Sequence, residues 1–193
     1  MLTRPKLACR PNIHRPDWAP VDDLATRITR LSYLSGTFTL RSGAVASEYF
    51  DKYQFEADPA ILREIASELA RLIPDDTEVL AGLELGGVPV ATALSLETGL
   101  PVAFVRKVAK TYGTARLAEG PELAGRRVLV VEDVVTSGGQ IVSSTSDLRR
   151  LGAKVSHAVC VIDRDEGGAD NLAEAHIELL ALLRGPELGP SGL

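Results

Sequence analysis

Hydrophobic residues recur along the chain at two different spacings, and the two spacings alternate. Apolar residues lie three or four positions apart in the segments 22–34, 59–72, 88–97 and 139–151, and in a shorter one at 171–175. Short apolar runs rich in β-branched residues cover 78–81, 101–105, 127–131, 155–162 and 177–183. The first spacing predicts amphipathic helices, and the short runs predict buried strands. Strands that alternate with helices indicate an α/β fold with a mainly parallel sheet covered on both faces.

Local signals refine the first third of this pattern. Gly36 predicts the end of the helix over 22–34. Two short strand-like pieces flank Ser42–Gly43, which predicts a hairpin. Asp58 followed by Pro59 predicts an N-cap with proline in the first helical position.

A single globular domain is expected from the length of 193 residues, of which 45% are hydrophobic and 24% charged. The first 20 residues are proline-rich and aperiodic. We therefore predict an N-terminal extension over 1–20, one domain over 21–183, and a loose tail over 184–193.

Composition also argues against several classes of protein. The net charge of −5 disfavours a general nucleic-acid-binding surface. The first residues lack the apolar core of a secretory signal, and no apolar run approaches the ~20 residues of a bilayer span. The two cysteines and three histidines show no spacing typical of a disulfide framework or a metal site. We expect a cytoplasmic protein with no nucleic-acid or membrane partner.

The segment 128–140, VLVVEDVVTSGGQ, combines features of a ligand-binding site. A buried-strand pattern leads into Glu132 and Asp133, and the small residues Thr136 to Gly139 precede a helical pattern. Ligands bind at the carboxyl ends of strands in open α/β sheets. A loop of small residues at a helix N-terminus offers N–H groups, hydroxyls and a positive dipole end to an anion. A sugar phosphate fits both halves, because its phosphate suits the loop and its hydroxyls suit the carboxylates.

A simpler interpretation is that the acidic pair only caps a helix or ends a strand. An isolated pair would favour that interpretation, whereas the full order of strand, acidic pair, TSGG loop and helix favours the binding site. The chain contains neither the GxxxxGK[ST] of a P-loop nor a GxGxxG after a strand.

Residues 106–120, RKVAKTYGTARLAEG, are the second informative segment. They carry the cations Arg106, Lys107, Lys110 and Arg116 in an otherwise acidic chain. A solvated surface loop is one interpretation, but a long loop inside a compact domain is often functional. One sugar phosphate that fits the segment 128–140 is phosphoribosyl pyrophosphate. Cations on a mobile loop would then neutralise the negative charge that develops as pyrophosphate leaves the ribose.

Segment 128–140 closely resembles the phosphoribosyl-pyrophosphate motif of the type I phosphoribosyltransferases, and RKVAKTYGT narrows the resemblance to the orotate phosphoribosyltransferases. FTLRSG with SEYFD, AGLELGGVPVATA, and VIDRDEGG resemble further segments of that family, in the family's order, over about residues 37–168. The resemblance implies a type I phosphoribosyltransferase fold: a mainly parallel twisted sheet flanked by helices, with a small N-terminal hood and a mobile catalytic loop.

The same resemblance implies an activity. Ribose 5-phosphate would pass from phosphoribosyl pyrophosphate to orotate, giving orotidine 5'-monophosphate and pyrophosphate in pyrimidine (UMP) biosynthesis. Mg²⁺ would be carried by the substrate, with no dedicated metal site on the protein. A homodimer is implied, in which each loop closes over the partner's site.

Matching residues take their expected roles from the resemblance. The expected catalytic residues are Lys110, Tyr112 and Asp133. Phosphoribosyl pyrophosphate is expected to contact Arg41, Leu85, Gly86, Arg106, Lys107, Lys110, Tyr112, Glu132, Asp133, Val134, Val135, Thr136, Ser137, Gly138, Gly139 and Gln140. Orotate is expected to contact Tyr49, Phe50, Thr136 and Arg164, with its carboxylate on the Arg164 guanidinium. Without the resemblance, Arg164 also fits a surface arginine, and the two aromatic residues also fit the core.

Three positions depart from the family pattern. Arg41 stands where the family carries lysine, Leu85–Gly86 replace a loop lysine found in many bacterial members, and Tyr112 stands where many members carry histidine. A phenol with a pKa near 10 does not shuttle protons at neutral pH as an imidazole does. These departures bear on rate and base preference more than on the class of reaction.

Two other functions stay open at this point. One is phosphoribosyl transfer to another base, such as a purine, against which Arg164 and the hairpin argue. The other is a non-catalytic, ligand-sensing regulator with this fold, which would be expected to carry an added DNA-binding helix pair or a basic face. The extension over 1–20 shows neither.

Overall fold

The protein structure, a computed structural model, describes residues 23–39, 43–108 and 117–188. Its α-helices are α1 (Leu24–Ser32), α2 (Tyr53–Ala57), α3 (Pro59–Ala70), α4 (Gly87–Thr98), α5 (Gly139–Arg150) and α6 (Gly168–Glu174). Its strands are β1 (Tyr33–Thr39), β2 (Val45–Phe50), β3 (Val79–Leu83), β4 (Val102–Val105), β5 (Ala118–Glu119), β6 (Arg127–Val135), β7 (Lys154–Asp163) and β8 (Glu178–Arg184).

The central sheet has the strand order β5-β4-β3-β6-β7-β8. Strands β3, β4, β6, β7 and β8 are parallel to one another, and the two-residue β5 pairs antiparallel with β4. The antiparallel pair β1–β2 forms a separate two-stranded sheet. The predicted mainly parallel sheet with a small N-terminal hood is confirmed, and we use "hood" below for α1, β1, β2 and α2.

Helices cover both faces of the sheet, so its central strands are apolar on both sides. In β6, Val128 and Val130 belong to the buried cluster that includes residues of α5 and α6. Leu129 and Val131 belong to the opposite cluster, with residues of α1, α3 and α4. Among the described helices, none has the length and apolar character needed to cross a bilayer.

Two predicted boundaries are wrong. Helix α1 ends at Ser32, and Gly36 lies within β1, because pairing of Tyr33 with Phe50 already engages the backbone in the hairpin. Strand β6 does not end before the acidic pair but continues to Val135, since β7 supplies pairing partners up to Asp163.

The tail predicted over 184–193 is ordered in its first part. Arg184 closes β8, and residues 185–188 form a 3₁₀ turn whose Leu188 is buried. The carbonyl of Leu188 accepts a hydrogen bond from the Thr29 hydroxyl of α1 at 3.3 Å. An apolar side chain at 188 and this contact with α1 explain the order. The predicted extension over 1–20 lies outside the described residues.

Candidate active site

The acidic pair lies where β6 runs past the carboxyl end of β3. Pairing between β3 and β6 stops at Gly82 and Val131, whereas β6 continues beside β7 for four more residues. The chain after β3 leads into α4 and lies against β6 at Glu132 and Asp133. Both residues are buried, with 8% and 0% of their surface exposed.

The loop between β6 and α5 forms the predicted cradle. Residues Val134 to Ile141, together with Glu132, line a cavity of about 80 Å³. Gly138 has φ 72° and would place a Cβ 2.1 Å from the Leu172 side chain, so glycine is required there. The Asn171 amide of α6 donates to the Ser137 carbonyl at 2.9 Å and fixes the loop. Because the first N–H groups of a helix have no partner within it, this cavity suits an anion.

The segment after β3 lies directly on the acidic pair. A Cβ on Gly86 would stand 1.8 Å from Asp133 Oδ2, and one on Gly87 would stand 2.3 Å from the Val131 carbonyl oxygen. Only a chain without side chains at these positions can approach β6 so closely. The predicted pyrophosphate loop is therefore adjacent to Asp133, with Leu85 60% exposed at its tip.

Two residues that the sequence analysis missed complete the surroundings of Asp133. Lys52, the N-cap of α2, places its Nζ 2.5 Å from Asp133 Oδ2. Glu56 of α2 is only 7% exposed, and its Oε1 is buried without an N–H or O–H donor among the described groups. Their spacing of four residues is a helical-face signal, but α2 has only five residues and its pattern is too short to recognise.

The three buried carboxyl groups and the lysine fix one another's charge. Burial raises the pKa of Glu56 to about 9, and its hydrogen bond with Asp133 acts in the same direction. Burial also raises the pKa of Glu132 well above its usual range, again with Asp133 contributing. Burial alone would raise the pKa of Asp133, but bonds from Glu132 and Glu56 and the charge of Lys52 hold it at about 2. The surroundings thus favour the charged form of Asp133 and the neutral form of the two glutamates.

The orientation of Asp133 is also fixed. Its Oδ1 accepts a hydrogen bond from the Val134 N–H at 2.7 Å. Its Oδ2 faces Lys52 and the backbone of Gly86. Glu132 lines the cradle instead, and its Oε1 accepts from the Asp133 N–H at 3.1 Å. The site therefore presents an oriented carboxylate at Asp133 and a second carboxyl group, that of Glu132, beside the cradle.

Arg106 and Lys107 lie at the carboxyl end of β4, next to the loop of Leu85. The Lys107 N–H donates to the Glu84 carboxylate at 3.1 Å. A cavity of about 250 Å³ is lined by Leu85 and Arg106 together with Glu84, Val88, Phe104, Val105 and Glu119. The two cations expected at pyrophosphate are thus brought to the same edge of the sheet as the acidic pair.

The residues expected at the base lie in two places. Arg164 follows β7, where its N–H donates to the Val135 carbonyl at 2.9 Å and its guanidinium pairs with Glu166 at 3.0 Å. It therefore stands beside the cradle. In the hood, Tyr49 is half-exposed and stacks on Phe38 with ring centres 5.4 Å apart.

Phe50 packs against the buried Phe55, with ring centres 6.4 Å apart. It packs between the hairpin and α2, and its expected contact with orotate stays a prediction. Arg41, Lys110 and Tyr112 lie outside the described residues.

Comparison with known proteins gives the same picture. The phosphoribosyl transferase domain family matches residues 52–176. An orotate phosphoribosyltransferase from Nocardioides is 53% identical over 165 residues, which are 86% of this chain and 92% of that protein. An orotate phosphoribosyltransferase from Halobacterium salinarum is 44% identical over 168 residues, 86% of this chain and 95% of that protein.

The similarity extends to the three-dimensional fold. The crystal structure of Mycobacterium tuberculosis orotate phosphoribosyltransferase in complex with phosphoribosyl pyrophosphate is 31% identical to this chain and has a TM-score of 0.74. The match covers 86% of this chain and 96% of that structure. With the acidic pair, the cradle and these relatives together, the chain belongs to the orotate phosphoribosyltransferase family.

Proposed function

We propose that the protein transfers ribose 5-phosphate from phosphoribosyl pyrophosphate to orotate and releases pyrophosphate, the step of pyrimidine biosynthesis that forms orotidine 5'-monophosphate. The observation that carries the proposal is the continuity of Asp133, Glu132 and the phosphate-sized cradle on one strand–loop–helix unit. A cradle alone would suit any phosphate. A buried acidic pair beside it suits a ligand with a phosphate and neighbouring hydroxyls.

The chemistry needs positioning and charge rather than a protein nucleophile. Residues 136–140 hold the 5-phosphate, and the ribose hydroxyls bond to Asp133 and Glu132. Orotate N1 forms the new bond to ribose C1 while the bond from C1 to the pyrophosphate oxygen breaks, and the proton that N1 carried passes to the released pyrophosphate or to water. Positive charge on the ribose is stabilised by the anionic Asp133, and negative charge on the leaving group by Arg106 and Lys107.

Base selection rests on Arg164 in this proposal. A guanidinium binds a planar carboxylate with two parallel hydrogen bonds. In the structure, the Arg164 guanidinium is paired with the half-exposed carboxylate of Glu166. The carboxylate of orotate would take the place of Glu166 in this ion pair. A purine offers no carboxylate for this exchange, which favours orotate over the alternative bases. Tyr49 and Thr136 are the proposed neighbours of the pyrimidine ring.

Magnesium enters with the substrate in this proposal and offsets charge on the pyrophosphate. Mg²⁺ prefers several free oxygen ligands and is often bound largely through substrate phosphates. The Asp133 carboxylate is instead paired with Lys52, and the carboxyl groups of Glu56 and Glu132 are buried close to it. Within the described ranges, no group of three or more His, Cys, Asp or Glu side chains is placed to hold a metal ion.

We also propose a homodimer in which the segment around Lys110 and Tyr112 closes over the partner's site. Exposed apolar side chains support a subunit contact at the β4 edge and α4: Leu85, Leu96, Phe104 and Val108 are 60%, 84%, 38% and 78% exposed. A cytoplasmic location is proposed because phosphoribosyl pyrophosphate is multiply charged and orotate is an anion, so neither crosses a bilayer unaided.

A spectrophotometric assay tests the function. Orotate absorbance should fall when phosphoribosyl pyrophosphate and magnesium are added, and the fall should stop when magnesium is chelated. Hypoxanthine, guanine and uracil are assayed in parallel. Robust turnover of a purine with none of orotate would refute the assignment, and failure with every base would favour a ligand-sensing regulator.

A further inference from the structure

Three residues from two separate parts of the chain lie around one oxygen atom, Asp133 Oδ2. Lys52 Nζ lies 2.5 Å from it, and the backbone of Gly86 approaches so closely that a Cβ would stand 1.8 Å away. The same imagined Cβ would stand 2.9 Å from Glu56 Oε1, so Glu56 lies on the same side of Asp133. Lys52 and Glu56 therefore connect the hood to the acidic pair of the central sheet.

This arrangement is a costly way to join the hood to the sheet. Taking a carboxylate and an ammonium out of water costs more than their attraction returns unless the geometry is favourable. Glu56 is also 93% buried, and its Oε1 has no conventional donor among the described groups. An apolar cluster would serve packing better, and such perturbed, buried groups are typical of functional sites.

The three side chains together define the state of Asp133. Lys52 supplies the opposite charge, and Glu56 lies on the same side of the carboxylate with its pKa raised to about 9 by burial, so that its carboxyl group can donate to Asp133. Val134 holds the other oxygen through its N–H. The carboxylate is thus kept ionised and held at both oxygens before any ligand arrives. Because a misplacement of 1 Å at such a group costs about 10²-fold in rate, this preorganisation has a large functional effect.

We propose that Lys52 and Glu56 are positioning residues, which hold Asp133 as an oriented carboxylate for a ribose hydroxyl of phosphoribosyl pyrophosphate. The proposal rests on the transferase function proposed above. It assigns no contact between these two residues and the base. Their loss should therefore weaken the use of phosphoribosyl pyrophosphate and leave the use of orotate nearly unchanged.

The experiment compares disruptive, conservative and control variants by steady-state kinetics and by calorimetric titration with phosphoribosyl pyrophosphate. Glu56→Leu removes the donor, whereas Glu56→Gln keeps an N–H in its place. Lys52→Gln removes the charge, whereas Lys52→Arg keeps it. The matched controls are Glu68→Gln, on the exposed side of α3, and Lys154→Gln, at the far end of β7.

Glu56→Leu and Lys52→Gln should each raise KM for phosphoribosyl pyrophosphate roughly tenfold, the loss expected for a hydrogen bond to a charged group. KM for orotate should change less than about threefold in both, within the context dependence of such contacts. Glu56→Gln and Lys52→Arg should recover most of the affinity. The controls should match the wild type.

A double-variant comparison separates positioning from folding. In an Asp133→Asn background, Lys52→Gln and Glu56→Leu should lower kcat/KM by no more than about twofold further, because they act through Asp133. Full additive losses would overturn the proposal, as would variants with a lower Tm but an unchanged KM for phosphoribosyl pyrophosphate. If the disruptive variants do not fold, the conservative variants provide the test. The proposal is then overturned if Glu56→Gln and Lys52→Arg lose as much affinity for phosphoribosyl pyrophosphate as Asp133→Asn does. Absence of orotate turnover in the wild type would instead refute the transferase function.

Discussion

At the scale of single residues, Asp133 is the group on which the site depends. It is fully buried, ionised, and held at both carboxylate oxygens. Burial raises the pKa of its neighbours Glu132 and Glu56, whereas the pKa of Asp133 is lowered. The sequence predicts Asp133 and Glu132, since they follow an apolar run, but it does not predict these opposite pKa shifts, because they depend on Lys52 and Glu56 from a distant part of the chain.

Asp133→Asn replaces a charged acceptor for a ribose hydroxyl with a neutral amide. Hydrogen bonds to charged groups contribute roughly 1.5–3 kcal/mol, so kcat/KM should fall at least ~10-fold. Steady-state kinetics with phosphoribosyl pyrophosphate as the varied substrate measures the effect. Wild-type kinetics in this variant would mean that the acidic pair is only structural.

The ionisation of Glu56 should make the stability of the folded protein depend on pH. Its pKa is raised to about 9 in the folded protein, whereas the unfolded chain ionises at the ordinary value of 4.5. The unfolded state therefore binds fewer protons between these values, and stability is lost as the pH rises through this window. Glu56→Gln removes this ionisation, so its Tm should fall less than that of the wild type between about pH 6 and pH 9.

Glu68→Gln, on the surface of α3, is the control for this measurement, and its Tm should follow that of the wild type. Part of the decline in Tm at alkaline pH should remain in Glu56→Gln, because the pKa of Glu132 is also raised in the folded protein. A decline of unchanged size in Glu56→Gln would contradict the assigned protonation state.

At the scale of elements, the site lies at the edge of the sheet where β3, β4, β6 and β7 end and where α4 and α5 begin. The helix and strand periods predict the order of these elements correctly from α3 to β8 except for β5, whose two residues lie in a segment expected to be a loop. They do not predict the length of β6, because the pairing that carries it to Val135 comes from β7. Helix α2 is missed as well, since its five residues give no period, and its place is set by packing of Phe55 into the core.

Gly86 tests how closely the segment after β3 must approach β6. Gly86→Ala places a Cβ 1.8 Å from Asp133 Oδ2 and 2.4 Å from its Cγ, so the segment or the carboxylate must move. Overpacking of this kind typically costs ~1–3 kcal/mol, which lowers Tm by roughly 2–4 °C per kcal/mol in a protein of this size. We expect a lower Tm together with a higher KM for phosphoribosyl pyrophosphate.

Gly139→Ala is the control for stability, because a Cβ there would meet only the Ser137 hydroxyl, at 3.8 Å. Its Tm should equal that of the wild type or exceed it. Equal Tm values for the two alanine variants would show that the segment of Gly86 has more freedom than the structure gives it.

At the scale of the whole molecule, the hood and the central sheet meet at the active site, and the proposed dimer adds a segment from a second chain. The family of the protein could be predicted from its motifs, because their residues and order are specific. The subunit arrangement is implied by the resemblance alone and stays a prediction, because Lys110 and Tyr112 lie outside the described residues. Leu96, which is 84% exposed on α4, has no role in the site as described.

Lys110→Ala should lower kcat strongly and leave Tm nearly unchanged. The segment around it has no apolar periodicity, and a charge that meets pyrophosphate only on closure acts mainly in the transition state. Mixing Lys110→Ala with Asp133→Asn protein should then restore part of the activity, because a mixed dimer has one site with both defects and one with neither. Confirmed subunit exchange without recovery would mean that the segment serves its own subunit.

The central claim is that the acidic pair and its cradle bind phosphoribosyl pyrophosphate for transfer to orotate. Mass spectrometry of the products formed from phosphoribosyl pyrophosphate, magnesium and an equimolar mixture of orotate, hypoxanthine and guanine tests it most directly. We predict orotidine 5'-monophosphate as the product, with pyrophosphate in equal amount, and little of it from Asp133→Asn. A purine nucleotide without orotidine 5'-monophosphate, or no nucleotide at all from protein that binds phosphoribosyl pyrophosphate, would contradict the claim.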